Sequence, residues 1–389
     1  MKRIKGATRD HLSVCALVPY PLDTVPGQRF RVEQWLSILQ EQGIEVDFLP
    51  FADVRLMQLL YQSDNGLAKA AVMAKALLRR VVDVIRASRY DAILIHRTVC
   101  LVGPAWFERI LRLSGKPIIF DFDDAIFYLH TAEANRKFGW LKFPGKTAAI
   151  CRLSLHVVVG NAWLADYARQ FNAQVTIVPS SVEIDRFQPV TRYENKARVI
   201  VGWTGSSTSQ TYLEAFVPML RELVTRYDVE LRIHSDREPH LPGVPYVWRP
   251  WAAETEAEEI RQFDIGLMPM PDVEWAKGKC AMKALLYMAL GVPAVCTAIG
   301  ANCEVIQHDE NGLLVKTDEE WLTNIGRLVH DATLRQRLGM AGRQTVEAKY
   351  SKQYAAQRFA DVIHTTVNEW KVKQESDRWN PVSYKNRTR

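Results

Sequence analysis

Six cysteines are spread through 389 residues, at positions 15, 100, 151, 280, 296 and 303, and no two stand in a C-x-x-C pair. That scatter disfavours structural zinc and a disulfide framework, and it suits a reducing compartment. No apolar run approaches the roughly 18 residues that mark a membrane span. The basic opening MKRIKGATRDH is followed by no long apolar segment, so a secretory leader is not expected and a cytoplasmic location is. Low-complexity tracts are missing. No basic run carries interleaved aromatics, which argues against nucleic acid as a partner. The charge balance, 50 Lys+Arg against 44 Asp+Glu for a net +6, has no strong sign. It permits anionic partners such as sugar nucleotides or a membrane surface without demanding them.

What is present is a repeated alternation. A chain of this length exceeds one ordinary core, so two domains are expected. Short apolar runs that read as buried strands, SVCALVPY (13–20), DAILIH (91–96), KPIIFDFD (116–123), LHVVVG (155–160) and QVTIVPS (174–180), are interleaved with helical patterns. The alternation restarts with ARVIVGWTG (197–205), VELRIHS (229–235), FDIGLMP (263–269) and VPAVCTA (292–298). Continuous apolar runs alternating with helices predict α/β domains with doubly wound parallel sheets. The polar, proline-bearing stretch SSVEIDRFQPVTRYENK reads as the linker. Domains at 1–190 and 191–350 follow, with a separate helix over 351–375 and a tail over 376–389. Ligands of such sheets bind beyond the carboxyl ends of the strands, so two of them facing each other predict a cleft there.

Three stretches offer anion chemistry. In VGWTGSSTSQTY a strand ends, Gly205 allows a tight turn, and Ser206, Ser207 and Thr208 open a helix whose free N–H groups can seat a phosphate. The same residues also make an ordinary glycine turn with a serine cap. In EWAKGKCAMKALLYMALG, Lys277, Lys279 and Lys283 gather before an apolar helix, where cations oppose the helix dipole unless an anion is present. Such a local conflict points to a functional site. In PYPLDTVPGQRFRVEQW, Gly27 with Arg29 and Arg31 can reach a phosphate, although arginines anchor helices in the same way. A fourth stretch, 67–89, sets Leu67, Leu77, Leu78, Val81, Val82 and Ile85 at helical spacing among Lys69, Lys75, Arg79, Arg80, Arg86 and Arg89. It reads either as a surface helix packed on its own sheet or as a peripheral contact with an anionic bilayer at the inner membrane face.

The run IIFDFDDAIF ends in three carboxylates, Asp121, Asp123 and Asp124. It resembles the opening motif of haloacid-dehalogenase-type phosphatases, in which Asp121 would be the nucleophile, Asp123 the acid/base and magnesium the cofactor. That motif belongs to a domain's first strand, however, and here two strand–helix units come earlier. It also resembles the DxD of metal-dependent sugar transferases, which use one continuous domain. The remaining reading has the carboxylates line the cleft, binding hydroxyls or serving as a base.

Taken in order, the segments resemble GT-B glycosyltransferases of the large retaining family 4, glycosyl transferases group 1, as a divergent branch. VVVGNAWLADYARQFNAQVTIVPSSVEIDRFQP is similar to the segment that closes the family's first domain. YMALGVPAVCTAIGANCEVIQHDENGLLV is similar to its EAMACGvPVVat…GG..Eiv.dG.nGllv. The resemblance implies two Rossmann-like domains facing across a cleft. The N-terminal domain lies on the acceptor side, the C-terminal one holds the sugar nucleotide, and the C-terminal helix crosses back to the first. It implies transfer from a nucleotide-diphosphate sugar to a glycan or lipid-linked acceptor, without metal or cofactor. Gly27 and Gly205 to Thr208 match the donor-phosphate loops, and Glu304 matches the glutamate of Eiv. Asp123 or Asp124 falls near the family's first-domain histidine and would orient the acceptor hydroxyl. Lys279 and Lys283 stand in for a missing Arg…Lys pair. Gly278 and Leu286 occupy the places of the family's two glutamates, one near the transferred sugar and one on the ribose, which leaves open a non-catalytic sugar-nucleotide or glycan-binding protein of the same fold.

Overall fold

The computed structural model describes residues 11–60, 66–128, 143, 145–190, 193 and 198–379. The basic opening stretch, part of the linker and the tail from 380 on lie outside the described residues. The chain divides into one unit made of Met1–Val178 with Ala356–Arg389, and a second made of Pro179–Ala355. The division falls ahead of the 190 expected from the sequence because the linker's first half packs on the second unit. Val182 bridges to Ser351 there, and Phe187 lies in that unit's core.

The first unit holds a parallel sheet of β1 (Leu12–Val18), β2 (Ile44–Pro50), β3 (Ala92–His96), β4 (Ile118–Phe122), β5 (His156–Val159) and β6 (Val175–Ile177). Their order is β2-β1-β3-β4-β5-β6. Every residue of β3, β4 and β5 is buried, as expected for strands covered on both faces. The order reverses between β1 and β3, and a ligand crevice belongs beyond the carboxyl ends at such a switch point. The helix Lys352–Trp379 joins this unit from Ala356 onward. Phe359 packs on Trp35 with ring centroids 5.2 Å apart, and His364 Nε2 lies 3.2 Å from the Gln42 carbonyl.

The second unit's sheet comprises β7 (Val199–Gly205), β8 (Val229–Ser235), β9 (Val247–Pro250), β10 (Ile265–Met268), β11 (Ala294–Thr297) and β12 (Leu313–Val315). Its order, β12-β11-β10-β7-β8-β9, is that of a dinucleotide-binding sheet, with the switch point between β7 and β10. These two strands pair only at Ile265 with Val201 and Gly266 with Gly202. Past that point a buried side chain joins them. The Tyr287 hydroxyl accepts from Thr204 N at 3.0 Å and donates to the Leu267 carbonyl at 3.0 Å. Tyr287→Phe leaves the Thr204 N–H buried without an acceptor and should cost about 1–3 kcal/mol in urea unfolding. An unchanged midpoint would show that the strands do not need the bridge.

Among the described residues no helix is long and apolar enough to cross a membrane.

Candidate functional site

In the first unit, the end of β4 carries the carboxylates and the ends of β1 and β3 bring them partners. Arg31 is fully buried and forks onto Asp121, with Nε 2.9 Å from Oδ1 and Nη2 2.7 Å from Oδ1. Its Nη1 donates to the Val178 carbonyl. His96 Nδ1 lies 2.7 Å from Asp121 Oδ2. Asp121 is itself completely enclosed, so a cation and an imidazole already take up both oxygens. This is how a buried charge survives, and with no exposed surface Asp121 offers no approach to a phosphoryl group or to magnesium. The nucleophile reading of Asp121 therefore has no support in the geometry.

Asp123 is held by Arg97, whose Nε and Nη2 lie 2.8 and 2.7 Å from Oδ1. Burial alone would push the Asp123 carboxyl up, but Arg97, His96 and Arg31 together outweigh it and hold the group below the usual carboxylate range. A carboxylate so held accepts hydrogen bonds well and takes up protons poorly, so hydroxyl binding suits it better than service as a base. Arg97 has φ 59°, a left-handed backbone that costs a non-glycine residue energy and tends to persist at functional sites. Gly27 sits against this pair: a Cβ there would lie 2.5 Å from Arg97 Nη2 and 3.3 Å from Asp123 Oδ2. Arg29 is half-buried with Nη2 enclosed and unbonded, its guanidinium 4.7 Å from the Phe30 ring centroid. Asp124 accepts from Ala125 N at 2.9 Å, a turn immediately beyond β4. Gly27 and Arg29, on the short helix Pro26–Arg29 after β1, and Asp123, just past β4, thus stem from the segments around the switch point of this sheet, with Arg97 as the member that sequence reasoning missed.

In the second unit, β7 ends at Gly205 and the helix Ser207–Ala215 begins. Its opening is less vacant than the sequence suggests. Asp236, the residue after β8, accepts from Ser207 N at 2.5 Å and from Ser207 Oγ at 3.0 Å, while the Ser206 and Thr208 hydroxyls pair at 2.8 Å. A carboxylate already complements that end of the helix, so the positive charge for an anion must come from elsewhere.

It comes from the loop before the helix Met282–Ala289. Lys277 pairs with Glu274 on the surface. Lys279 Nζ lies 4.0 Å from the Trp275 ring centroid, and Lys283 Nζ 5.5 Å from that of Trp203 at the end of β7. Lys283 has no acidic or hydrogen-bonding partner among the described residues. Burial first, and Lys279 second, push its ammonium down to about 8. Between the lysines, Ala281 adopts φ 53° at the helix start, with no side-chain cap. The loop after β11 adjoins this segment, since a Cβ on Gly300 would fall 2.7 Å from the Lys277 carbonyl oxygen. Glu304 follows on the short helix Asn302–Val305, with its side chain exposed.

Residues 198–331, which contain both lysines and Glu304, match the family profile described as glycosyl transferases group 1. Over that stretch the second unit is similar to group 1 glycosyltransferases. Solved structures extend the likeness over 91–92% of the chain. Sucrose-phosphate synthase (tll1590) from Thermosynechococcus elongatus is similar with a TM-score of 0.65 at 15% identity, over 91% of this chain and 98% of that one. A glycosyltransferase from Rickettsia africae ESF-5 gives 0.63 at 13%, over 92% and 99%. HepE (Alr3699) of Anabaena, solved with UDP and glucose, gives 0.60 at 11%, over 91% and 100%. At such identities the likeness is one of fold, and that fold is GT-B. No curated protein sequence matches the chain.

Within the group 1 segment, the two places that the resemblance gives to glutamates are structurally plain. Gly278 ends the helix Glu274–Lys277, and Leu286 is buried in the unit's apolar core. A carboxylate at 286 would be desolvated there without a partner, so the leucine belongs to packing. Asp236 and the two tryptophans under the lysines carried no signal of their own in the sequence. One is a single acid after a strand, and the others are single aromatics inside VGWTG and EWAKGK.

Proposed function

We propose that the chain is a cytoplasmic, retaining glycosyltransferase that moves a hexosyl group from a nucleotide-diphosphate sugar to a glycan or lipid-linked acceptor, with no metal or cofactor. One observation carries the reading. At the β7–β10 switch point Lys283 bears a charge that no described acid balances, beside a second lysine, each over a tryptophan face. A diphosphate would relieve that conflict by accepting charge-assisted bonds, and the pair would stabilise the charge that grows on the departing diphosphate. Lysines in this role would do what a divalent ion does elsewhere. Glu304 would hold donor hydroxyls, and Asp123 and Asp124 would orient the acceptor. Gly27 with Arg29, and Gly205 with Ser206 to Thr208, would line the phosphate path. The UDP and glucose in the HepE structure support a sugar nucleotide as donor and make UDP the first nucleotide to try.

The test is calorimetric titration with UDP, GDP, ADP and dTDP, each with EDTA and with magnesium, followed by transfer assays. Binding of one nucleotide with EDTA present, plus turnover, supports the proposal. Binding without turnover to any acceptor favours the non-catalytic reading, which the leucine at 286 and the glycine at 278 recommend. No binding overturns both.

Proton linkage gives a second readout. In the free protein Lys283 loses its charge as pH rises through about 8, whereas a bound diphosphate would keep it protonated. Nucleotide affinity should therefore fall between pH 7 and 9.5, and binding near pH 9 should take up protons, seen as a dependence of the titration heat on buffer ionisation. The stability sign is opposite. The folded value lies below the ordinary lysine value of 10.5, so the unfolded chain binds more protons between about 8 and 10.5, and the fold gains stability as pH rises through that window. A flat affinity profile would remove Lys283 from the site.

A further inference from the structure

The helix Gly66–Arg86 turns its faces contrary to the reading of a surface helix packed by its apolar stripe. Its inner face holds Val72, Ala76 and Val84, but also Arg80 and Asp83, paired at 3.5 Å. Arg80 caps strand ends from inside, donating to the carbonyls of Leu49 and Val18. Outside stand Leu67 (91% exposed), Leu78 (71%) and Ile85 (67%), with Val81 and Val82 between them. The neighbouring helix Trp106–Leu113 continues this surface with Trp106 (65%), Ile110 and Leu113 (84%).

The charges on these two helices divide cleanly. Both acids point inward, Asp83 to Arg80 and Glu108 to Lys146 at 3.2 Å. The charged residues left exposed are Lys75, Arg79, Arg86, Arg109 and Arg112, all basic. Arg79 turns aside to Asp53 at 3.9 Å and to the Phe51 carbonyl. That leaves large apolar side chains set among Lys75, Arg86, Arg109 and Arg112, with no exposed acid on either helix, which fits one kind of occupant. A second copy docking through the same face would set arginine against arginine with nothing to neutralise them. An anionic bilayer complements it, taking the aliphatic and indole groups into the acyl boundary while the basic side chains reach headgroups.

We infer that the outer faces of helices Gly66–Arg86 and Trp106–Leu113 form one docking surface for anionic lipid bilayers, seating the first unit flat on the membrane. The surface belongs to the first unit and the donor chemistry to the second, so either proposal can fail without the other. The test is co-sedimentation of the full chain with vesicles of phosphatidylcholine alone and of phosphatidylcholine mixed with phosphatidylglycerol. Two double variants accompany the native chain, Ile85→Glu with Ile110→Glu and Arg109→Glu with Arg112→Glu. These side chains are exposed, so melting temperature and nucleotide binding should not change. The native chain should partition onto the mixed vesicles, less so as salt rises, and hardly onto phosphatidylcholine alone. At roughly fivefold per basic side chain, the arginine variant should lose on the order of thirtyfold or more. The isoleucine variant should lose vesicle binding at every salt concentration. Equal partitioning of native and variant chains, or no preference for phosphatidylglycerol, would overturn the inference. So would light scattering showing a concentration-dependent dimer that the same substitutions abolish.

Discussion

Replacing Lys283 with methionine should lower turnover by about a hundredfold or more while raising the melting temperature. The two effects share one cause. Lys283 is desolvated beside a second cation, with only the Trp203 face to receive its ammonium. In the unliganded fold that charge is a cost, so an apolar chain of similar length should relieve it. In the reacting complex the same charge faces a leaving diphosphate, where loss of one preorganised donor typically costs 10²–10³ in kcat. Opposite signs on stability and rate separate this assignment from a structural one, since a lysine that merely supports the fold would lose both together. Lys279→Met should lower the rate similarly. Its effect on stability should be smaller, because Lys279 lies closer to its aromatic face, 4.0 Å from the Trp275 centroid against 5.5 Å for Lys283 and Trp203. Thermal unfolding together with initial-rate kinetics checks both. A Lys283→Met chain that is less stable, or as fast as the native one, would contradict the proposal.

Asp121→Ala should destabilise the first unit by about 3–5 kcal/mol, the usual penalty for removing one member of a buried ion pair. Here two groups are stranded, the Arg31 guanidinium and the His96 imidazole, both fully enclosed. His96 Nε2 already lacks a partner, so the ring has nowhere else to turn. The expected result is a much lower unfolding midpoint for that unit and a change in the second unit no larger than the loss of shared helix contacts transmits. An Asp121→Asn chain that folds normally and loses magnesium-dependent phosphomonoester hydrolysis would instead revive the phosphatase reading.

The same carboxylate shows where sequence reading stops. IIFDFDD announces a buried strand with acids at its end, and β4 is that strand. Nothing in the stretch says that the counter-charge of Asp121 arrives from Arg31, 90 residues earlier in the chain. Central strands were legible because burial on both faces writes an unbroken apolar run, as in AILIH of β3. The strands that escaped notice, β2, β9 and β12, are sheet edges. Edge strands are only partly covered, and VWRP of β9 leaves two of its four residues exposed. The lysine cluster was legible through its conflict with the helix that follows. The seat at Ser207 was half legible. Hydroxyls and a helix start could be read, but the Asp236 carboxylate that fills it comes from the neighbouring strand. Periodicity gave a helix over 67–89, observed as Gly66–Arg86, without its orientation. Arg80 and Asp83 neutralise each other, and so a polar pair could be the buried one.

The helix Lys352–Trp379 has a consequence for how the protein is made. The first unit is discontinuous, closed only when Ala356 and the residues after it pack on Trp35 and Gln42. The second unit, Pro179–Ala355, is continuous. During synthesis from the N-terminus, domains often finish in the order in which they emerge. In this chain the order is inverted. The second unit has all its residues first, while the earlier-emerging sheet waits with Trp35 uncovered for a helix that follows the second unit in the chain. A nascent chain exposed as far as residue 355 would hold one finished domain and one unfinished.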